Sequence, residues 1–492
     1  MAVRRPNVLL ITADQWRGDC LGVLGHPCVR TPSLDALARE AVVFRNHFAP
    51  CAPCSPARAS LYTGLYQMNH RVVANGTPLD DRFDNLARAA RRAGYLPTLF
   101  GYTDTALDPR GRAPRDPDLR GYEEILPGFV CRQPLREDDR AWIAWLRSRG
   151  HGAALLADPH AVAPAPSGGV SLAPPGYGAE ETQTAFLVER FLDWHAEQGA
   201  EPWFAHISFL RPHPPFVVPE PYASIVAPRD VPAPIPPGPE PHPLERLMRD
   251  GTPASAFQPG LGGSVADLSP PDIARIRALY FGMIAEVDAQ LGRLVAALKS
   301  RGDWEDTLLV FTSDHGEMLG DRGLLGKGGP HAESQHIPLI VRMPGGAART
   351  VGSFTSSVDV FPTRLDLWGG EALHAPDGAS LLPALDGTGE AGRDCALWEF
   401  DFRHALTDAA RRSLGIDDPR ACHLTVLRRA DAQYVHMPAS PPLLFDLRAD
   451  PAARIDVSTE RTDLRLAMAE ALLSRLTRLR DDTLASLKLP MA

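Results

Sequence analysis

Val8-Leu9-Leu10-Ile11 runs straight into Thr12-Ala13-Asp14-Gln15, and Thr307-Leu308-Leu309-Val310-Phe311-Thr312 runs into Ser313-Asp314-His315. Both apolar runs are short, rich in β-formers, free of strict apolar–polar alternation and bounded by polar residues. That pattern belongs to strands buried on both faces of a parallel sheet. Helical patterns lie between them. Thr31-Pro32 reads as a cap followed by proline at the first helical position, with Leu34, Leu37, Ala38 and Ala41 on one face. Asp272 to Lys299 carries Ile273, Ile276, Leu279, Met283, Ile284, Val287, Leu291 and Leu294 at helical spacing and stops near Gly302. Strands alternating with helices predict an α/β fold on a doubly wound, mostly parallel sheet.

After Leu367-Trp368-Gly369-Gly370 the pattern changes. Leu397-Trp398-Glu399-Phe400, Leu424-Thr425-Val426-Leu427 and Leu443-Leu444-Phe445-Asp446 predict a smaller α+β unit with an antiparallel sheet, closed by a helix from about Asp463 to Leu479. The expected division is a main α/β domain over 1–375 and a C-terminal α+β subdomain over 376–492. Residues 211–243 hold 13 prolines, which points to a surface course. Ala161 to Gly178, rich in Pro, Gly and Ser, reads as a mobile insertion.

Length and charge narrow the function. A chain of 492 residues is long for one core, so two packed units are expected. With 44% apolar and 23% charged residues it is not a disordered chain. The net charge is −9 and no basic stripe stands out, which leaves no electrostatic footprint for nucleic acid. No stretch of 18 uninterrupted apolar residues argues for a membrane span. Val8 to Ile11 is too short for the apolar core of an export signal, and Asp14 and Arg17 follow at once. A cytoplasmic protein is expected, its seven cysteines reduced thiols.

Ligands of open α/β sheets bind beyond the carboxyl ends of the strands. Here those ends carry Asp14-Gln15 and Asp314-His315, which together would collect two carboxylates, an amide oxygen and an imidazole. Either pair alone is also an ordinary turn or helix cap. The imidazole moves the metal preference from an all-oxygen Ca²⁺ cage towards Mn²⁺ or Zn²⁺. A second centre is Cys51-Ala52-Pro53-Cys54-Ser55-Pro56-Ala57-Arg58, running on to Gly64. Ser55-Pro56 reads as cap and first helical residue and Gly64 as the stop. Cys54 then lies at a helix mouth that favours negative charge, with Arg58 one turn on. The competing reading is a CxxC pair for zinc or redox work, and no second CxxC completes a zinc site.

Cys54-Ser55-Pro56-Ala57-Arg58 resembles the C-x-P-x-R signature of sulfatases, whose cysteine a maturation enzyme oxidises to formylglycine. The resemblance extends over Pro6 to Gly64, Asn75, Arg211 to Phe216, Thr307 to Lys327 and Phe445-Asp446-Leu447, and points to the sulfatase branch of the alkaline phosphatase superfamily. Within that branch, typical sulfatases have two adjacent aspartates where this chain has Asp14-Gln15, and Gly-Lys-x-His where it has Gly101-Tyr102-Thr103-Asp104. Those departures look like phosphonate monoester hydrolases, which also cleave phosphodiesters and, more weakly, sulfate esters. So do Leu65 to Arg71 and Arg211 to Phe216.

The resemblance implies that one divalent ion, Mn²⁺ ahead of Zn²⁺ or Ca²⁺, is held by Asp14, Gln15, Asp314, His315 and the modified Cys54. A hydrated carbonyl at residue 54, activated by the metal and by Arg58, would attack phosphorus or sulfur, and its second hydroxyl would release the adduct. Lys327 would lie between residue 54 and the leaving oxygen, and His213 would protonate or hydrogen-bond the departing alkoxide. Asn75 and Tyr102 would hold the non-bridging oxygens. Asp104 departs from the small hydroxyl residue expected there; it either borders the substituent pocket, favouring cationic or hydrogen-bonding groups, or pairs with an arginine such as Arg110. His331 and His336 follow Lys327 closely. Implied partners are a small phosphonate, phosphate diester or sulfate ester, a formylglycine-generating enzyme and further copies of the chain as a dimer or tetramer. The rival readings are an arylsulfatase and an inactive binding protein on the same scaffold.

Overall fold

The computed structural model describes residues 5–119, 121–390 and 392–480. The strands Asn7–Ala13 and Thr307–Thr312 are buried at every position. Neither has a solvent face, so neither needs alternation, which is why both read as continuous apolar runs. They lie parallel, with Thr12 opposite Thr312. On its other edge Asn7–Ala13 pairs in parallel with Phe204–Phe209. The sheet has eight strands in the order Arg349–Ser356, Val42–Phe48, His336–Arg342, Thr307–Thr312, Asn7–Ala13, Phe204–Phe209, Pro97–Gly101 and Val130–Pro134. His336–Arg342 runs antiparallel to Thr307–Thr312, and the pairings from there to Val130–Pro134 are parallel. This is the mostly parallel α/β sheet expected.

Contacts gather the chain into two compact units. Of the described residues, the first takes 5–47, 95–103 and 129–352, and the second takes those within 48–94, 104–128 and 353–480.

In the first unit the helix Pro270–Arg301 runs from a Ser269/Asp272 capping box to Gly302 in the left-handed conformation. Its apolar face buries Ile276, Leu279, Ile284, Val287 and Leu294. Its buried polar positions reach outward to other segments. Asp288 accepts from the backbone N–H groups of Ser33 (2.9 Å) and Leu34 (2.8 Å), so it caps the helix Pro32–Ala38. The Thr31 side chain, the expected cap, instead donates to Asp35. Two loop expectations are also corrected. The 161–178 segment is pinned: Val170 is buried, its N–H donates to Asp272, and Ser171 N–H donates to Gln258. In the proline-rich stretch Phe216, Val217 and Val218 are core residues rather than surface.

The second unit holds a five-stranded sheet in the order Ser440–Asp446, Ala432–Met437, His423–Arg429, Cys395–Asp401 and Cys51–Ala52. The first four are antiparallel neighbours, as expected, and the short Cys51–Ala52 joins in parallel. The helix Thr462–Arg478 packs Met468 and Leu472 into a cluster with Leu397, Leu427 and Leu444. The helix Cys54–Thr63 is buried along its whole length and ends at Gly64 with φ 73°, the stop read from the sequence. It begins earlier than Ser55, with Pro53 as cap. Among the described residues no helix is long and apolar enough to cross a membrane.

Ser60 of that helix leads to His70. The His70 Nδ1 accepts from the Val72 N–H at 3.0 Å, so Nε2 carries the proton and faces Ser60 Oγ at 2.9 Å. A second proton would meet the Val72 donor in a buried site, and burial pushes the pKa from 6.5 down to about 3. The unfolded chain takes up that proton below about 6.5 while the native state does not, so native stability falls as pH drops from there towards 3. His70→Gln, which can keep both hydrogen bonds without titrating, is expected to flatten this slope by about 1 kcal/mol per pH unit below pH 6. Urea unfolding at pH 7, 6 and 5 measures it, and equal slopes in the two proteins would refute it.

Candidate functional site

In the first unit the strand register decides the geometry. With Thr12 opposite Thr312, the chain continues two residues further on each strand to Asp14 and Asp314. Both carboxylates are buried. Asp14 is anchored by its N–H on Phe209 O at 3.0 Å, and one of its oxygens accepts from the Tyr102 hydroxyl. Asp314 Oδ1 accepts from the N–H groups of Gln15 (3.1 Å) and His315 (2.9 Å). His315 donates through Nδ1 to Gly316 O at 3.0 Å, which turns its Nε2 lone pair to Asp14 and Asp314, 3.8 Å from an oxygen of each. Burial lowers its pKa and keeps the ring neutral. A Cβ on Gly316 would meet Glu333 O at 2.3 Å, so only glycine allows this turn.

Ligand atoms of Asp14, Asp314 and His315 lie within 4.8 Å of one another. Two adjacent buried carboxylates repel, and a neutral imidazole presenting a lone pair cannot compensate them. A divalent cation does, and two oxygens with one nitrogen suit Mn²⁺ or Zn²⁺.

Gln15 is held from four sides. Its backbone has φ 67°, a left-handed conformation uncommon for such a side chain. The Tyr280 hydroxyl donates to its carbonyl at 2.7 Å. Lys327 Nζ donates to its Oε1 at 2.9 Å, and its Nε2 donates to Glu317. Glu317 is buried, and its other oxygen accepts from the N–H groups of Leu319 (2.9 Å) and Gly326 (2.6 Å). Burial raises its pKa to about 7. Sequence reasoning missed this residue; its only trace is a lone acid in a turn beside Met318 and Leu319.

His213 donates through Nδ1 to Pro214 O at 2.7 Å, so in the neutral ring Nε2 carries the lone pair. Burial, reinforced by the Lys327 charge, lowers its pKa to about 3, and Asp14 opposes that shift. Arg211 fixes the loop by donating to His213 O (2.9 Å) and Pro215 O (2.8 Å). Arg211 is itself 3.3 Å from His160, whose far nitrogen lies 2.8 Å from Asp139. This support was also not foreseen. His331 and His336 turn to other partners, Glu245 at 3.2 Å and Arg45 O at 2.8 Å.

In the second unit Cys54 is the first residue of the helix Cys54–Thr63 and is buried. Asn75 Oδ1 accepts from the Ser55 N–H at 3.0 Å, which puts Asn75 at the helix mouth and explains why Ser55 is not the cap. Arg58 and Asp104 are fully buried, Arg58 Nε 4.0 Å from Asp104 Oδ2. Arg110 pairs instead with Asp108 and Asp80. Cys51 faces Ser60 Oγ at 3.5 Å, and burial pushes its pKa up. Among the described residues no cysteine is joined in a disulfide.

Glu317 faces three N–H donors and offers only oxygen, so Glu317→Ala and Glu317→Gln both leave donors unmet and free the Gln15 amide to turn. Mn²⁺ affinity, read by calorimetry on the purified chain, is expected to fall about 10- to 100-fold in each. An unchanged affinity would refute the role.

The family described as Sulfatase matches residues 6–370 of this chain. The multifunctional alkaline phosphatase superfamily protein PehA of Trinickia caryophylli is 41% identical over 468 residues, covering 91% of this chain and 90% of that protein. The structure of the phosphonate monoester hydrolase of Agrobacterium radiobacter superposes with a TM-score of 0.95 at 52% identity, covering 99% of this chain and 98% of that one. The phosphonate monoester hydrolase SpPMH of Silicibacter pomeroyi superposes with a TM-score of 0.89 at 37% identity over the same shares. With its strand-end carboxylates, its C-x-P-x-R helix and these relatives, the chain belongs to the sulfatase family of the alkaline phosphatase superfamily.

Proposed function

We propose that this chain is a formylglycine-dependent metallohydrolase that cleaves phosphonate monoesters and phosphodiesters, with sulfate esters as weaker substrates. The observation that carries the reading is the buried Asp14–Asp314–His315 cluster, with Gln15 beside it held by Lys327, in a chain 52% and 37% identical to two phosphonate monoester hydrolases. The proposed ion-holding residues are Asp14, Gln15, Asp314, His315 and residue 54, with Mn²⁺ preferred to Zn²⁺ or Ca²⁺. When bound, the ion supplies a Lewis acid, and formylglycine at residue 54 supplies, as its hydrate, the hydroxyl nucleophile.

The chain's own groups then divide the work. Arg58, one turn along the helix from residue 54, and Asn75, at the mouth of that helix, orient the nucleophile and a non-bridging oxygen. Tyr102 holds Asp14 through its hydroxyl and so fixes one carboxylate. Lys327, donating to Gln15 at 2.9 Å, puts a cation beside the leaving oxygen. His213 presents Nε2 to the departing alkoxide. Its ring is neutral because of burial and Lys327, so Nε2 accepts a hydrogen bond at rest and has to gain a proton before it can give one to the alkoxide; an anionic substrate acts in that direction.

We place the enzyme in the cytoplasm as a dimer or tetramer matured by a formylglycine-generating enzyme. The six cysteines other than residue 54, none in a disulfide, support a reducing compartment, and the oligomer rests on the family resemblance.

The test uses protein co-expressed with a formylglycine-generating enzyme. Turnover of a phenylphosphonate monoester and a phosphodiester is expected to exceed that of an aryl sulfate, and Cys54→Ala to lower all three by at least about 10³-fold. A sulfate ester preferred by orders of magnitude would make it an arylsulfatase. Turnover unaffected by Cys54→Ala would end the enzymatic reading of this helix.

A further inference from the structure

Arg58 is the one cation of the helix Cys54–Thr63, and its side chain is fully buried. A guanidinium cannot shed its proton, so a buried one needs a counter-charge. The carboxylate 4.0 Å away is Asp104, buried to the same degree. The backbone builds Asp104 into place. Its φ is 48°, in the left-handed region that aspartate tolerates better than most residues. Directly after it, Ala106–Leu107 pairs in parallel with Pro78–Leu79, the segment that follows Asn75, and Thr105 bridges to Glu124. The charge facing Asp104 is thus the chain's own arginine rather than a cationic substituent.

We propose that Asp104 is a specificity-determining residue: by cancelling the Arg58 charge it makes the site accept a transferred group bearing one negative charge and reject one bearing two. The proposal rests on the hydrolase reading above. Around residue 54 the helix brings +1 from Arg58, Asp104 brings −1, and Ser55 and Asn75 are neutral, so 1 − 1 leaves no net charge. Within the second unit what remains for an anion is dipolar, the helix and the Asn75 amino group, and net attraction is left to the ion and Lys327 of the proposed mechanism. That suffices for one charge. A second would meet the Asp104 carboxylate at low dielectric, where repulsion over such distances is large. Phosphonate monoesters, phosphodiesters and sulfate esters carry a single charge at neutral pH. Phosphate monoesters carry two once past a second ionisation near pH 6.

The experiment compares kcat/KM for para-nitrophenyl phenylphosphonate, bis-para-nitrophenyl phosphate and para-nitrophenyl sulfate, all monoanions, with para-nitrophenyl phosphate, a dianion at pH 8. Wild type, Asp104→Asn and Asp104→Glu are matured alike. Asp104→Asn is expected to raise the dianion-to-monoanion ratio at least about tenfold, while Asp104→Glu stays near wild type. A purely structural role would lower all four substrates in parallel, and an unchanged ratio overturns the proposal. If Asp104→Asn does not fold, wild type decides: the dianion turned over at pH 8 within about tenfold of the phosphodiester overturns it, and a larger deficit supports it. A wild type inactive on every substrate would instead sink the hydrolase reading.

Discussion

Two like charges held side by side organise the first unit. The register between Asn7–Ala13 and Thr307–Thr312 puts Asp14 and Asp314 at the same height on adjacent parallel strands. That register cannot slip, because both strands are buried on both faces and a one-residue shift would misplace every side chain. A bound cation relieves the repulsion it stores, so this central strand pair and the candidate metal centre are one feature.

The surroundings spend their hydrogen bonds on keeping that centre in one state. Asp314 accepts two backbone N–H groups, His315 gives its Nδ1 proton to Gly316, and Tyr102 donates to Asp14. Each bond settles which lone pair is left over. Glu317 does the same one layer out, setting the amide of Gln15 so that its oxygen meets Lys327. Such second partners fix orientation and basicity, and a ligand set without them is loosely specified.

What the sequence made legible was local. Strand ends and the long amphipathic helix are read from runs and spacings of a few residues and took their expected form, and the C-x-P-x-R segment is helical to Gly64 as read, though it starts earlier. The misses came from distance. Thr31 looked like a cap because proline follows it, but Asp288, over 250 residues away, supplies the acceptors. Ser55 looked like a cap for the same reason, but Pro53 holds that position and Asn75 supplies the side-chain acceptor. Composition made 161–178 look loose, yet Asp272 and Gln258 hold it. Glu317 and the Asp139–His160–Arg211 chain carry no periodic signal, because a buried polar partner is recognised only once its donor is known. Compositional shifts likewise mark changes along the chain, whereas the compact units gather segments far apart in it.

The helix Pro270–Arg301 packs the core with its apolar face, and its polar side chains make it a spine as well. Asp272 holds Val170, Arg277 donates to Leu319 O at 2.9 Å, and Tyr280 holds Gln15. Glu286 accepts from Thr182 and Thr184, and Asp288 holds Ser33 and Leu34. One rod of about 48 Å therefore sets the phase of five separate segments. A single inserted residue midway would turn its far half by about 100° and detach the later contacts together. The rod's own length is therefore fixed by what it touches, and changing it means rebuilding all five contacts.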